Sequence, residues 1–210
     1  EARLGLRTRE DPHEKDGSIG ETRLHLDAEK YVDTTRLKLA VDLLVDPVVD
    51  DYPVRLEEGR GWLDLREANV TSTLSPFLDV RAGRQILTWG TGDLIFINDL
   101  FPKDWNSFFI GRADEYLKAP SNSIQTTFMM KKVGLDLIWT PIFEPDRFIN
   151  GERLSFFNPL TGEIQGDRSP FSPIQPLFPE KRLRNGTVHG RLYGSAGPVE
   201  LAAYGYAGFW

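Results

Sequence analysis

Phe77-Leu78-Asp79-Val80-Arg81-Ala82-Gly83-Arg84-Gln85-Ile86-Leu87, running on into Thr88-Trp89-Gly90, is the stretch whose pattern decides the fold. Leu78, Val80 and Ala82 recur at every second position, and Asp79, Arg81, Gly83 and Gln85 fill the places between them. Successive side chains of a strand point to opposite faces, so a period of two predicts a strand with unlike surroundings on its two sides. Arg84 falls on the apolar parity unless a bulge intervenes. The apolar side then faces either a protein core or lipid.

The alternation continues in both directions. Glu21 to Lys30 sets Leu24, Leu26 and Ala28 against Arg23, His25, Asp27 and Glu29. Thr35 to Val45 sets Leu37, Leu39, Val41, Leu43 and Val45 against Arg36, Lys38, Asp42 and Leu44, and Val32-Asp33-Thr34 suits a tight hairpin between the two. Both segments approach the roughly 9–11 residues that a tilted strand needs to cross a bilayer. Trp62 to Thr73 predicts a further strand, less cleanly alternating, with a short turn at Leu74-Ser75-Pro76. Ser121 to Lys131 puts Ile124, Thr126, Phe128 and Met130 opposite Gln125, Thr127 and Met129. Beyond Lys131-Lys132, the residues Val133, Leu135, Leu137 and Trp139 alternate with Asp136 and Ile138. Thr187 to Gly194 and Val199 to Phe209 predict a last hairpin about Ser195-Ala196-Gly197-Pro198. Hairpins without crossover helices predict an antiparallel sheet of about eight or nine strands.

Short turns alternate with long connections. Ala2 to Arg9 suits a short strand and Asp11 to Gly20 a loop; Asp46 to Gly61 is a long acidic loop. Pro141 to Arg184 holds half of the 14 prolines and keeps no period, which predicts an extended loop. Gly90 to Leu117 mixes Leu94-Ile95-Phe96-Ile97 with Pro102-Lys103-Asp104-Trp105. So apolar a loop is expected to fold inward or over a mouth, with a short helix at Asp104 to Ile110. Tight turns at one end and long loops at the other are the habit of outer-membrane barrels, although a soluble sandwich gives a similar pattern.

Composition narrows the function classes. The chain has 210 residues, a net charge of -6 and no cysteine. The acidic balance and the lack of a basic run argue against a nucleic-acid partner. Without cysteine there is no disulfide framework, zinc-thiolate site or thiol chemistry. No apolar run nears the roughly 20 residues of a membrane-spanning helix, and Glu1-Ala2-Arg3 opens no secretory signal. A mean hydropathy of -0.35 looks soluble, yet barrel strands are apolar on one face only and give a weak signal.

Candidate chemistry is sparse. His13, His25 and His189 share no metal-ligand spacing. Asp50-Asp51 and Glu57-Glu58 read as a solvated acidic loop before a calcium site. Gly90-Thr91-Gly92 lacks the third glycine and the following helix of a dinucleotide fold. No Gly-x-Ser-x-Gly elbow supports a hydrolase, and no carboxylate spacing singles out a glycosidase pair. Asn69-Val70-Thr71 and Asn185-Gly186-Thr187 match the glycosylation sequon in strand or turn contexts. The more informative set is Glu67, Asp79, Arg81, Arg84 and Gln85 on two adjacent strands. In a barrel, charges of one parity line an aqueous lumen and set which solutes pass.

Leu65-Arg66-Glu67-Ala68, then Gly83-Arg84-Gln85 with Trp89-Gly90, then Phe96-Ile97-Asn98-Asp99 and Pro102-Lys103-Asp104, and finally Leu137 to Phe148 with its Trp-x-Pro-x-Phe-x-Pro-x-Arg run, resemble a family of large outer-membrane β-barrel porin-like proteins of Gram-negative bacteria. That family is akin to alginate-export channels. The resemblance spans about Trp62 to Phe148 and implies a barrel that passes a solute passively, with no catalytic residues. Because family members are longer and Tyr204 to Trp210 reads as an unfinished strand, the chain is expected to be an N-terminal portion of a larger barrel. The whole expectation is all-β: an antiparallel up-and-down transmembrane β-barrel in the bacterial outer membrane, acting as a channel without cofactor, with the lipid bilayer and an oligomer or partner protein as contacts. Lumen and selectivity residues would be Glu67, Asp79, Arg81, Arg84, Gln85, Asp93 and Asp99; interfacial aromatics would be Trp89, Trp139, Tyr204 and Tyr206. Two other readings stay open, a barrel that sheaths or docks a partner or polysaccharide export machinery, and a soluble glycan-binding β-sandwich with Leu37, Leu39, Val41, Leu135 and Leu137 in one dry core.

Overall fold

A computed structural model describes residues 1–49, 53–89, 100–166, 169 and 177–209. The chain is all-β. Two short strands, Gly5–Leu6 (β1) and Gly17–Ile19 (β2), form a small hairpin, the second of them inside the segment expected to be loop. Thr22–Val32 (β3), Thr35–Val45 (β4), Leu63–Ser75 (β5), Leu78–Gln85 (β6), Ser121–Met130 (β7) and Val133–Thr140 (β8) follow. The segment expected to be wholly extended carries another small hairpin, Phe156–Asn158 (β9) with Glu163–Gln165 (β10), and then a single 3-10 turn at Leu183–Asn185. Thr187–Ala196 (β11) and Val199–Ala207 (β12) end the described chain. One short helix, Trp105–Phe109 (α1), falls inside the expected window, with Asp104 as its N-cap. No helix among the described residues is long and apolar enough to cross a membrane.

One sheet dominates, in the order β12-β11-β8-β7-β6-β5-β4-β3. Every neighbouring pair is antiparallel. The sheet does not close on itself: β3 and β12 are its edges, so the closed barrel expected from the alternation is not formed by these strands. The turns at one end are tight. Asp33 and Lys131 take positive φ of 51° and 30° there, as two-residue hairpin connections require. All long connections leave from the other end, at residues 46–62, 86–120 and 141–186.

The two faces of the sheet carry opposite chemistry throughout. Register pairs Leu24 with Leu43, Leu26 with Val41, Leu37 with Val70 and Leu39 with Ala68, then Val70 with Ala82, Ala82 with Ile124, Ile124 with Trp139 and Trp139 with Val188. This is one continuous apolar side. It is the uncovered side: Leu39 is 48% exposed, Ile124 39% and Leu192 52%. On the other side, Asp42, Gln85, Asp136 and Ile138 are at most 5% exposed. Buried polar and charged residues among those described outnumber buried hydrophobic ones about two to one, the reverse of a soluble core.

Two local departures shape the polar side. Ala40 pairs with Glu67 and Val41 with Leu65, leaving Arg66 as the extra residue of a bulge. A bulge turns two successive residues toward one face, which is why Trp62 to Thr73 alternates poorly and why Arg66 and Glu67 both serve the polar side. Gly83, in the stretch quoted at the outset, adopts φ +122° against the Ala68 carbonyl. A β-carbon there would collide with that oxygen as well as occupy backbone space that favours glycine. Gly83→Ala is therefore expected to lower stability by about 2 kcal/mol or more, read as a shifted midpoint in chemical denaturation, whereas Gly111→Ala, a positive-φ position with open space around it, should cost less.

Candidate functional site: the covered polar face

The polar face is roofed by the long connections, and buried ion pairs hold the roof. Pro102-Lys103-Asp104 and Pro145-Asp146-Arg147, two elements 43 residues apart by hydrogen-bond separation, run beside each other. Arg147 N donates to Lys103 O at 2.8 Å, and Trp105 N to Arg147 O at 3.1 Å. Asp146 accepts from Lys103 N at 2.8 Å and from the Trp105 indole at 3.1 Å. Asp104 caps α1 through Ser107 N at 2.8 Å with one oxygen and meets Arg147 Nη1 at 3.1 Å with the other.

Arg147 is the centre of this knot. Besides Asp104 it faces Asp64 of β5 at 3.6 Å, and it donates to the carbonyls of Leu56 at 3.0 Å and Glu57 at 3.1 Å. Burial pushes its pKa down, but Asp64 and Asp104 outweigh that and hold it above the ordinary arginine value. Arg84 shares the Leu56 carbonyl at 2.8 Å, donates to Leu65 O at 2.6 Å and pairs with Glu144 at 3.5 Å. Three loops are thus tied to one end of the sheet by two arginines. A third tie is Tyr116, whose ring lies 3.9 Å from the Arg23 guanidinium carbon and 5.1 Å from that of Arg66. Arg66 also donates to the Glu115 and Lys118 carbonyls, both at 2.8 Å. Arg23 meets Asp42 at 2.5 Å and Glu21 at 2.8 Å, and Glu21 is bridged again by Arg112.

Of the expected lumen residues, Glu67, Asp79, Arg81 and Gln85 share the polar face. Glu67 takes Arg81 at 2.5 Å and Lys38 at 3.0 Å, and Arg81 also donates to Asn69 at 3.2 Å. Gln85 is fully buried and donates to Ser123 Oγ at 2.8 Å. Asp79 is on the same face by its register with Thr127, but it lies toward the tight turns, where it is exposed and accepts from Thr73 at 2.6 Å. Arg84 does not belong with the expected lumen set: its register partners Ala68 and Asn122 put it on the apolar parity that the alternation gives it, and it is nevertheless buried because the loops fold over the strand ends. Asp93 and Asp99 lie outside the described residues.

Of the expected interfacial aromatics, only Trp139 stands on the apolar side, paired with Val188. Tyr204 and Tyr206 pair with Arg191 and His189, which assigns both to the polar side. Trp89 follows them, packing on Leu87, Leu100 and Ile138 and lying 5.1 Å from the Tyr204 ring. The aromatic-glycine alternation of β12 does not by itself tell a lipid-facing tyrosine from an inward one; only its pairing with β11 does. Arg147, Asp64, Asp104, Glu144 and Tyr116 carried no site role in the sequence, since the partners of each lie far along the chain. Asn69 of the first sequon is 5% exposed, with its amide on Arg84 O at 3.2 Å.

Beside the roof, Trp89, Phe101, Phe143, Tyr204, Tyr206 and Phe209 line a cavity of about 560 Å³. Among the described residues no group of three or more metal-ligating side chains converges. Chemically, the face can order ions and rings along a wall of fixed charges.

No protein-family model matches the chain, and no curated protein or solved structure matches it. Function therefore follows from the geometry of this face.

Replacing Arg147 by Met would leave Asp64 and Asp104 buried without their cation. Breaking a buried pair from one side costs about 3–5 kcal/mol. The expected outcome is a protein whose 53–61 and 100–120 segments are cut faster in limited proteolysis, while the hairpin turns at the other end keep their wild-type resistance.

Proposed function

We propose that this chain is part of an outer-membrane β-barrel of a Gram-negative bacterium, and that its polar face lines an aqueous lumen through which small solutes pass. The observation that carries the reading is the inverted distribution of side chains. The apolar side of the eight-stranded sheet is exposed, while the side bearing Arg23, Asp42, Asp64, Arg66 and Gln85 is buried. Burying a single Leu, Val or Ile side chain is worth about 1.5–3 kcal/mol, so so broad an apolar surface calls for an apolar neighbour. Hydrocarbon suits it, because it asks nothing of the side chains but the lack of charge. The soluble sandwich needs Leu37, Leu39 and Leu137 in a dry core, and they are 41%, 48% and 41% exposed.

Strand length and connection pattern agree with the reading. β3 and β4 have 11 residues each, against the roughly 9–11 of a tilted membrane strand. Tight turns gather at one end and long loops at the other. The porin-like family that the sequence resembles has this architecture. A lipid-bounded sheet tolerates no free edge, so β3 and β12 must find further strands as partners. Residues 100–120 lie across the polar side and would narrow the lumen. The open stretch between this constriction and the tight turns carries Lys38, Glu67 and Arg81, where fixed charge selects ions.

Extraction from membranes only by detergent and stepwise conductance in planar bilayers are the expected results; release into detergent-free buffer would count against the reading. Arg81→Glu should move the reversal potential toward cation selectivity. Two charges 4 Å apart in water interact by about 1 kcal/mol, so reversing one should change the permeability ratio several-fold, and an unchanged reversal potential would remove Arg81 from the lumen.

A further inference from the structure

One arginine on the polar face is answered by rings instead of carboxylates. Arg23, Arg66 and Arg81 each meet an acidic side chain within 4.0 Å. Arg191 of β11 has no such partner among the described residues. Its cross-strand neighbour Asp136 accepts from Thr127 at 2.8 Å instead. The Arg191 guanidinium carbon lies 4.4 Å from the Tyr193 ring centroid and 5.7 Å from that of Tyr204. Its Nε is buried without a hydrogen-bond partner. Tyr193 is held in place because it lies across Gly134, where a β-carbon would fill the space of its ring.

Tyr204 connects this cation to the aromatic cavity of about 560 Å³, whose wall it shares with Trp89 and Tyr206. That volume lies within the roughly 300–1,000 Å³ of small-molecule sites. Several polar groups at the cavity are already engaged. Glu144 accepts from Asn122 at 2.8 Å and faces Arg84 at 3.5 Å. Asp146 is held by the Lys103 amide and the Trp105 indole, and Thr187 and His189 face each other at 3.3 Å. A sugar, which needs many hydrogen-bond partners, finds few here, whereas a flat apolar ring finds several faces to stack on. Arginine in turn offers a two-pronged donor that matches a carboxylate.

We propose that this wall binds an aromatic carboxylate, with its ring in the cavity against Tyr204 and Trp89 and its carboxylate on Arg191. The assignment deepens the channel reading, on which it rests for a route by which the solute arrives. It names the class of solute that the lumen selects.

The test uses the intact protein in detergent micelles, titrated by calorimetry against micelles alone with benzoate, benzyl alcohol and acetate. Benzoate is expected to bind saturably and more tightly than either control, which lack the charge or the ring. Arg191→Gln should weaken benzoate about ten-fold, the loss of one charge-assisted contact, and leave benzyl alcohol within about two-fold. Arg191→Lys should fall between, and Tyr204→Leu should weaken benzoate and benzyl alcohol together. Equal affinity of the wild type for benzoate and benzyl alcohol would overturn the proposal whether or not the variants fold, as would acetate binding as tightly as benzoate. Planar-bilayer conductance is scored separately. A conducting protein that ignores benzoate overturns this assignment and leaves the channel standing; benzoate binding to a protein that does not conduct supports the site and removes the channel.

Discussion

A buried charge must be answered, and at Arg147 that requirement organises one end of the molecule. Its partners come from the sheet (Asp64), from the helix cap (Asp104) and from the backbone of a third loop (Leu56 and Glu57). Without the arginine, two carboxylates would sit in a poorly solvated space, a far larger penalty than the loss of any one contact in the roof. The loops are therefore placed by charge pairing, and the small cluster of Leu87, Leu100 and Ile138 fills in beneath them.

This inverts the usual division of labour. In a soluble sheet, hydrophobic burial supplies the stability and polar groups look outward. Here the polar side is covered at one end by its own loops, and the apolar side is left to the surroundings. Such a sheet makes sense when the solvent on its apolar side is itself apolar. The same logic explains the bulge at Arg66, which gives the polar side two consecutive charges where the pleat would allow one. It also explains Gly83, whose backbone conformation lets β6 approach β5 at the point where Arg84 turns into the loops.

The polar face is graded along the strands. Near the long loops, Arg23, Asp42, Asp64 and Arg66 are buried and paired. Toward the tight turns, Asp79 and Glu200 are exposed. Across the sheet, the β3 to β6 side carries carboxylate-paired cations, while the β8 to β12 side carries Arg191 among aromatic rings. Two walls of different chemistry thus stand on one face.

The sequence by itself determined the strands, the turns and the two-facedness of the sheet, because these follow from a period of two and from residues such as Asp33 and Gly197 that local backbone geometry demands. The helix at Trp105–Phe109 was legible for the same reason, since its cap Asp104 is three residues from the amide that it binds. Tertiary structure alone decided that the sheet stays open, that Arg84 is buried among loops, and that Tyr204 and Tyr206 stand on the polar side. It alone brought Asp104 to Arg147 and Asp64, and set Arg191 between two tyrosines. Those outcomes depend on strand register and on charges that meet across long stretches of chain, and a one-residue change in register would have sent each of those side chains to the opposite face.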